Sequence, residues 1–360
     1  MKVVFRVDSS VCMGSGHLIR CLTLAEALHE RGVQLHFICR NHKGNLINLL
    51  RQKAFHVTVI PAFIRTETSG SADSTICSCA SQQQDAKESI NALNKEMPDW
   101  LVVDHYSLGI EWEQQIRPHV KQLIVLDDFP NRRHDCDFLL DQNYSPDGAQ
   151  LYPQFVPETC KLLLGPHYTL LRKEFRLIRQ QLKPRNHQVK RVLVFFTAGN
   201  DQGETLKAMK GVELFGQAKR VDVVVGQSNP DNPEIIKKCR ELNWEYHCQV
   251  NYMPKLIAEA DLVIGGGGSS NWERCALGLP ALVTILAENQ APIAHALDQA
   301  GIIDNLGWNT GLQPSDYEKA LKNINSQHLA EMSEKAFRLV DANGAERVAA
   351  MLFSNQLPTK

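Results

Sequence analysis

The 360-residue chain is expected to be an α/β protein of two doubly wound, parallel-sheet domains. Three observations carry this. Short apolar runs alternate with amphipathic helical segments. The alternation pauses near the middle and then restarts, and glycine-rich or polar turns stand where the runs end. A chain of this length exceeds one ordinary core. Apolar and charged contents of 43% and 22% are globular values.

The first strand is Val3-Val4-Phe5-Arg6-Val7, and Asp8-Ser9-Ser10 opens the turn after it. Leu18, Cys21, Leu22, Ala25 and Leu28 then recur at helical spacing. Leu35 to Cys39 is a strand, residues 44–53 a helix, and Val57 to Ile60 a strand. A Ser/Thr/Gln-rich stretch from Thr66 to Gln84 reads as a polar loop, before a helix from about Asp85 to Lys95. Trp100 to Asp104 and Leu123 to Asp127 are buried strands, and Phe138 to Leu140 and Lys161 to Leu164 close the first series. The charged connector holds Arg172, Lys173, Arg176, Arg179, Lys183 and Arg185. Strands resume at Arg191 to Phe196, Val221 to Val225, Leu262 to Ile264 and Ala281 to Ile285. The tail from about Leu329 to Phe353 is helical, interrupted around Asn343-Gly344. The expected boundaries are 1–165 for the first domain, 166–188 for the connector helix, and 189–360 for the second domain with its terminal helices. The domains are expected to face each other across a cleft, with ligands beyond the carboxyl ends of the strands.

A net charge of −1 gives no electrostatic case for nucleic acid or an anionic membrane as partner. No apolar run approaches the roughly 18 residues of a transmembrane helix. The amino terminus enters a strand directly, without the apolar core of a signal peptide. The ten cysteines fall partly inside strand and helix patterns, such as Cys21, Cys39 and Cys275, which suits reduced thiols in a cytoplasmic protein. Cys77-Ser78-Cys79 is a close pair, but no further ligands stand near it at metal-site spacing, so neither metal nor cofactor is expected.

Two glycine loops carry the chemistry. Gly14-Ser15-Gly16-His17 links the first strand to its helix, where small residues admit a ligand and an imidazole stands at a helix start. The local dipole disfavours imidazolium, so His17 suits a neutral general base; a tight turn with a solvated histidine is the plainer alternative. In the second half, Gly265-Gly266-Gly267-Gly268-Ser269-Ser270-Asn271-Trp272-Glu273 follows a strand and enters a helix. The glycines clear space for a diphosphate, Ser269, Ser270 and Asn271 offer caps or ligand donors, and Glu273 can accept from a ribose diol. A flexible turn before a capped helix is the alternative. No Gly-Lys-Ser/Thr follows, so the loop is not a Walker motif. Polar groups at other strand ends complete the set: Asp104-His105-Tyr106, Asp127-Asp128, Asn200 in Thr197-Ala198-Gly199-Asn200-Asp201, and Glu288-Asn289-Gln290. For the aspartates a capped turn is the commoner use.

Together these segments resemble the nucleotide-sugar hydrolases of pseudaminic-acid biosynthesis that act on UDP-2,4-diacetamido-2,4,6-trideoxy-β-L-altropyranose. Phe5 to Ser10, Gly14 to His17, Asp104-His105-Tyr106, Leu164-Gly165-Pro166, Leu170-Leu171-Arg172, Ser269 to Glu273, Leu277 to Pro280 and Asn289-Gln290-Ala291-Pro292 carry the resemblance. They cover nearly the whole chain in the family's order. The resemblance implies a GT-B fold, His17 as the general base, UDP held by the glycine loop and Glu273, and Tyr106 near the sugar. It implies metal-independent hydrolysis at the anomeric C1–O bond with inversion. The family commonly has Gly-Gly-Ser/Thr-Asp where this chain has Ala198-Gly199-Asn200-Asp201, which bears on the fit of the diphosphate or sugar. An inverting GT-B glycosyltransferase using a UDP-sugar donor is the alternative enzyme, although no contiguous apolar and basic patch for a lipid acceptor is evident. A binding protein that keeps the UDP pocket is the non-enzymatic alternative. Neither the particular sugar nor the oligomeric state is legible in the residues.

Overall fold

The computed structural model describes residues 1–62, 81–185 and 187–354. Cys77-Ser78-Cys79 and most of the Thr66–Gln84 stretch lie outside the described residues. The chain divides into two compact units, Met1–Leu170 with Asn343–Lys360, and Leu171–Ala342.

In the first unit β1 (Lys2–Val7), α1 (Gly16–His29), β2 (Gln34–Arg40), α2 (Ile47–Gln52) and β3 (His56–Ile60) come first. They are followed by α3 (Gln82–Ala92), β4 (Trp100–Asp104), α4 (Ile110–Ile116) and β5 (Gln122–Leu126). β6 (Phe138–Asp141), α5 (Gly148–Leu151) and β7 (Lys161–Leu164) complete the series. The seven strands form one sheet in the order β3-β2-β1-β4-β5-β6-β7. Its pairs are parallel. Both faces are covered, which is why the strands read as nearly unbroken apolar runs. Val3, Phe5 and Val7 pack with Leu18, Cys21 and Leu28 of α1, and Val4 packs on the opposite face with Trp112 and Leu139.

The second unit begins with α6 (Lys173–Gln180), β8 (Arg191–Phe195), α7 (Glu204–Phe215), β9 (Arg220–Val225) and α8 (Asn232–Leu242). β10 (Glu245–Cys248), α9 (Met253–Glu259), β11 (Leu262–Gly266), α10 (Ser270–Ala276) and β12 (Ala281–Ile285) follow. Then come α11 (Ala291–Gln299), β13 (Asp304–Trp308), α12 (Pro314–Asn323) and α13 (Ser326–Leu339). The sheet order is β10-β9-β8-β11-β12-β13. β10 and β13 escaped the sequence reading because, as partly exposed edge strands, they carry no apolar run.

The contacts correct the expected division at both boundaries. α14 (Gly344–Ser354) belongs to the first unit, not the second. Its Val348, Ala349 and Leu352 join the core beneath α1, and Trp100 Nε1 donates to the Leu352 carbonyl at 3.1 Å. The charged segment is not a free-standing connector either. Arg179 donates to the carbonyls of Ala276 and Phe337 and lies over the Phe337 ring, which places α6 in the second unit.

Each sheet reverses winding direction at its centre, between β1 and β4 in one unit and between β8 and β11 in the other. That is where loops diverge and leave space beyond the strand ends. The two glycine loops follow β1 and β11.

Candidate active site

In the first unit the turn after β1 closes on itself, with Gly14 N donating to the Ser10 carbonyl at 2.9 Å. Gly14 has φ +75°, a conformation that favours glycine. Gly16 has no positive φ; it is the first residue of α1, and a Cβ there would meet nothing within 4 Å. Ser15, the residue before α1, makes no side-chain cap, so its hydroxyl is not used by the helix.

His17 is 7% exposed and its ring is held from two sides. Nδ1 stands 2.6 Å from Oδ1 of Asp104 at the end of β4. The Tyr106 ring meets it edge-on with centroids 4.4 Å apart. Burial alone would raise the Asp104 carboxyl, but Arg20 and His17 outweigh it and hold Asp104 well below the usual carboxylate range. An ionised Asp104 only accepts, so Nδ1 carries the ring proton and donates it. In the neutral ring this leaves the lone pair on Nε2. Arg20 Nη2 also lies 3.3 Å from Nδ1 but cannot donate to a protonated nitrogen. Tyr106 is 41% exposed, and its hydroxyl donates to Asp128 Oδ2 at 2.6 Å.

His105, a candidate ligand in the sequence, turns into the core instead. Its Nδ1 accepts from Ser107 N at 3.0 Å, and Nε2 faces Asp8 at 3.3 Å. Both ring nitrogens are used internally, so the role expected of His105 becomes structural. Asp8 belongs to a buried charge cluster. Arg6 donates to Asp8 and Asp85, and Arg40 donates to Asp85 at 2.6 Å. The Phe5-to-Ser10 motif thus supplies Arg6 and Asp8 to this buried cluster, against which His105 is held.

In the second unit the four glycines divide by purpose. A Cβ on Gly265 would fall 2.2 Å from the Phe195 carbonyl oxygen, and one on Gly266 would fall 2.7 Å from that of Phe196. These two glycines let β11 approach β8; they are strand residues, not a phosphate cradle. Gly267 and Gly268 form the loop proper. The loop is clamped by Gln290, whose Oε1 accepts from Gly267 N at 3.2 Å and Leu286 N at 3.0 Å. Asn271 is fully buried; its Nδ2 donates to the Gly267 carbonyl at 2.9 Å, and its Oδ1 accepts from Arg274. Gln290 Oε1 and the Asn271 side chain therefore shape the loop, where ligand contacts were expected.

Ser269 is exposed and Ser270 half-buried, and Ser269 makes no side-chain cap to α10. Glu273 is half-buried, and burial raises its carboxyl against the opposing charges of Arg172 and Arg274. Arg274 is buried, donates to the Gly266 carbonyl at 3.0 Å, and leaves Nε and Nη1 without a protein partner. Glu288 and Asn289 are exposed on the turn after β12. Asn200 is exposed, and its Oδ1 accepts from Gln202 N at 2.8 Å. The Ala198 carbonyl lies where a Cβ on Gly226 would stand, so it is the backbone of this turn that packs tightly. Sequence reasoning named Asp104 and Asp128 only as strand-end groups, with a capped turn as their commoner use, and missed Arg20 altogether. The available signals were an aspartate ending a wholly apolar strand and an arginine one helical turn beyond His17. Among the described residues no three His, Cys, Asp or Glu side chains gather as a metal site, and no helix is long and apolar enough to cross a membrane.

No protein-family model matches the chain. Among curated proteins it is 25% identical over 303 residues to the UDP-2,4-diacetamido-2,4,6-trideoxy-β-L-altropyranose hydrolase of Campylobacter jejuni, covering 84% of this chain and 97% of that one. It is 22% identical over 360 residues to the spore coat polysaccharide biosynthesis protein SpsG of Bacillus subtilis, covering 98% of both. It is also 22% identical over 347 residues to an uncharacterised protein of Methanocaldococcus jannaschii, where the match takes in 94% of this chain but spans only 62% of the relative. The resemblance carried by the motifs therefore extends along the chain. Among solved structures, MurG of Acinetobacter baumannii superposes with a TM-score of 0.67 at 13% identity, covering 98% of this chain and all of that one. The fold is the expected GT-B type, two Rossmann-like parallel-sheet domains.

Proposed function

We propose that this protein hydrolyses a UDP-linked 2,4-diacetamido-2,4,6-trideoxyhexose at the anomeric C1–O bond, with inversion, releasing UDP and the free sugar. The observation that carries the reading is the His17–Asp104 pair, with Nδ1 bound to a buried carboxylate at 2.6 Å. Similarity to the Campylobacter jejuni hydrolase supports the substrate class. In this reading His17 Nε2 takes a proton from water while the water oxygen attacks C1. The C1–O bond breaks, and its electron pair leaves with the diphosphate. One displacement inverts the centre. Asp104 stabilises the imidazolium as it forms, and a positioned base of this kind contributes about 10²- to 10⁴-fold. We assign contacts with UDP to Gly268, Ser269, Ser270 and Glu273, and sugar contacts to Gly14, Ser15, Gly16 and Tyr106. Asn200, Glu288 and Asn289 are further candidates for ligand contacts. No step draws on a metal or cofactor, and we place the reaction in the cytoplasm.

The decisive experiment incubates the protein with UDP-2,4-diacetamido-2,4,6-trideoxy-β-L-altropyranose in ¹⁸O-water, without an acceptor. Label in the sugar, an inverted first-formed anomer and loss of turnover in a folded His17→Ala variant are expected. Label in UDP would mean attack at phosphorus. Consumption only after a sugar or lipid acceptor is added would replace hydrolysis by glycosyl transfer. Tight UDP binding without turnover across diacetamido-trideoxyhexoses would leave a binding protein.

A further inference from the structure

Arg20 stands one turn after His17 on α1, and its guanidinium closes a circuit around the imidazole. Nε donates to Asp104 Oδ2 at 2.5 Å, and Nη2 donates to Asp104 Oδ1 at 2.7 Å. Nη1 reaches the other way, to Asp128 Oδ1 at 2.8 Å. Asp128 accepts from the Tyr106 hydroxyl at 2.6 Å, and the Tyr106 ring returns to His17. Asn143 Nδ2 adds a donor to Asp128 at 2.8 Å. A buried arginine beside a sugar-nucleotide site invites the reading of a diphosphate ligand. Here the fork is already occupied by two carboxylates.

We infer that Arg20 is a positioning residue: it orients and neutralises Asp104, and it does not bind the diphosphate. The inference rests on the hydrolase reading for its kinetic consequence but not for its geometry. Both Asp104 oxygens are held by a planar fork, so the oxygen facing Nδ1 cannot rotate away. The same positive charge keeps Asp104 from competing for the proton that His17 takes, which therefore stays on the imidazole. Lysine would supply a point charge without the fork. The groups facing His17 are Asp104 from β4, Arg20 from α1 and the Tyr106 ring, while Asp128 after β5 holds the far sides of Arg20 and Tyr106.

The test compares wild type with Arg20→Lys and Arg20→Met on UDP-2,4-diacetamido-2,4,6-trideoxy-β-L-altropyranose, with UDP affinity measured by calorimetry. The expected result is a fall of about 10²-fold in kcat for both variants, with KM and the UDP Kd changed by no more than about 2-fold. A rise of about 10-fold in KM or Kd at unchanged kcat would make Arg20 a ligand and overturn the inference. Should wild type show no turnover, the hydrolase reading fails alone. ¹⁵N NMR of the His17 ring then decides: the Nδ1–H tautomer gives way to a mixture in the variants if Arg20 positions Asp104, and persists unchanged if it does not. Arg20→Lys keeps a charge between the two carboxylates and carries the test if Arg20→Met does not fold.

Discussion

His17 and Asp104 are 87 positions apart in the chain, and their side chains meet at 2.6 Å because β1 and β4 are neighbours at the point where the sheet changes winding direction. The carboxylate selects the tautomer that leaves Nε2 free. In Asp104→Asn the amide can instead donate to Nδ1 and move the ring proton to Nε2, which removes the base while preserving shape. We expect kcat to fall about 10³-fold with little change in KM, measured by UDP release.

Glu273 is half-buried, and its carboxyl is raised by burial. Glu273→Gln keeps an acceptor but removes the charge and one of its two equivalent oxygens. If it binds the ribose, UDP affinity should fall by about 1–2 kcal/mol, roughly 10-fold, in calorimetry. Unchanged affinity would remove Glu273 from the nucleotide site.

Gly265 and Gly268 separate structure from binding. Gly265→Ala pushes a methyl to 2.2 Å from the Phe195 carbonyl oxygen, which only backbone movement relieves. A loss of about 2–4 kcal/mol in denaturant unfolding is expected. Gly268→Ala meets Gln290 Nε2 at 3.7 Å, an ordinary contact. It should leave stability within about 0.5 kcal/mol and raise KM for the UDP-sugar if the diphosphate lies against the loop.

His134 is buried between two acids, with Nδ1 at 2.7 Å from Glu113 and Nε2 at 2.8 Å from Asp127. Burial would lower its pKa, but those hydrogen bonds outweigh it and push it up to about 9. A folded value above the unfolded one of about 6.5 stabilises the protein fully below about pH 6.5. That contribution, at most about 3 kcal/mol, is lost as the pH rises through about 9. Urea midpoints should fall between these pH values in wild type, and His134→Gln should flatten that slope.

Arg185 joins the carboxyl ends of α9 and α10. Its guanidinium donates to the carbonyls of Ile257 at 3.0 Å, Leu277 at 3.1 Å and Gly278 at 3.1 Å, and also to Ala260. Burial brings the group down to about 10, so its charge persists at neutral pH. Arg185→Met orphans several buried carbonyls, and the second unit should lose about 2–4 kcal/mol in thermal or denaturant unfolding.

The sequence by itself determined the architecture, because buried parallel strands must be apolar on both faces and the helices between them must carry one apolar stripe. It located both glycine loops and singled out His17, since Gly14 and the turn after β1 are local features. Edge strands β10 and β13 were hidden by their exposure. Only the tertiary structure decided what the polar residues do. It turned His105 toward Asp8, used Asn271 and Gln290 to hold the loop, gave Gly265 and Gly266 to strand packing, and returned α14 to the first unit. It also brought Asp104 and Asp128, from the ends of two different strands, to the face of α1 that carries His17 and Arg20. Each of those outcomes depends on which strand lies beside which and on where a side chain finds its hydrogen-bonding partner, and neither is a property of residues near one another in the chain.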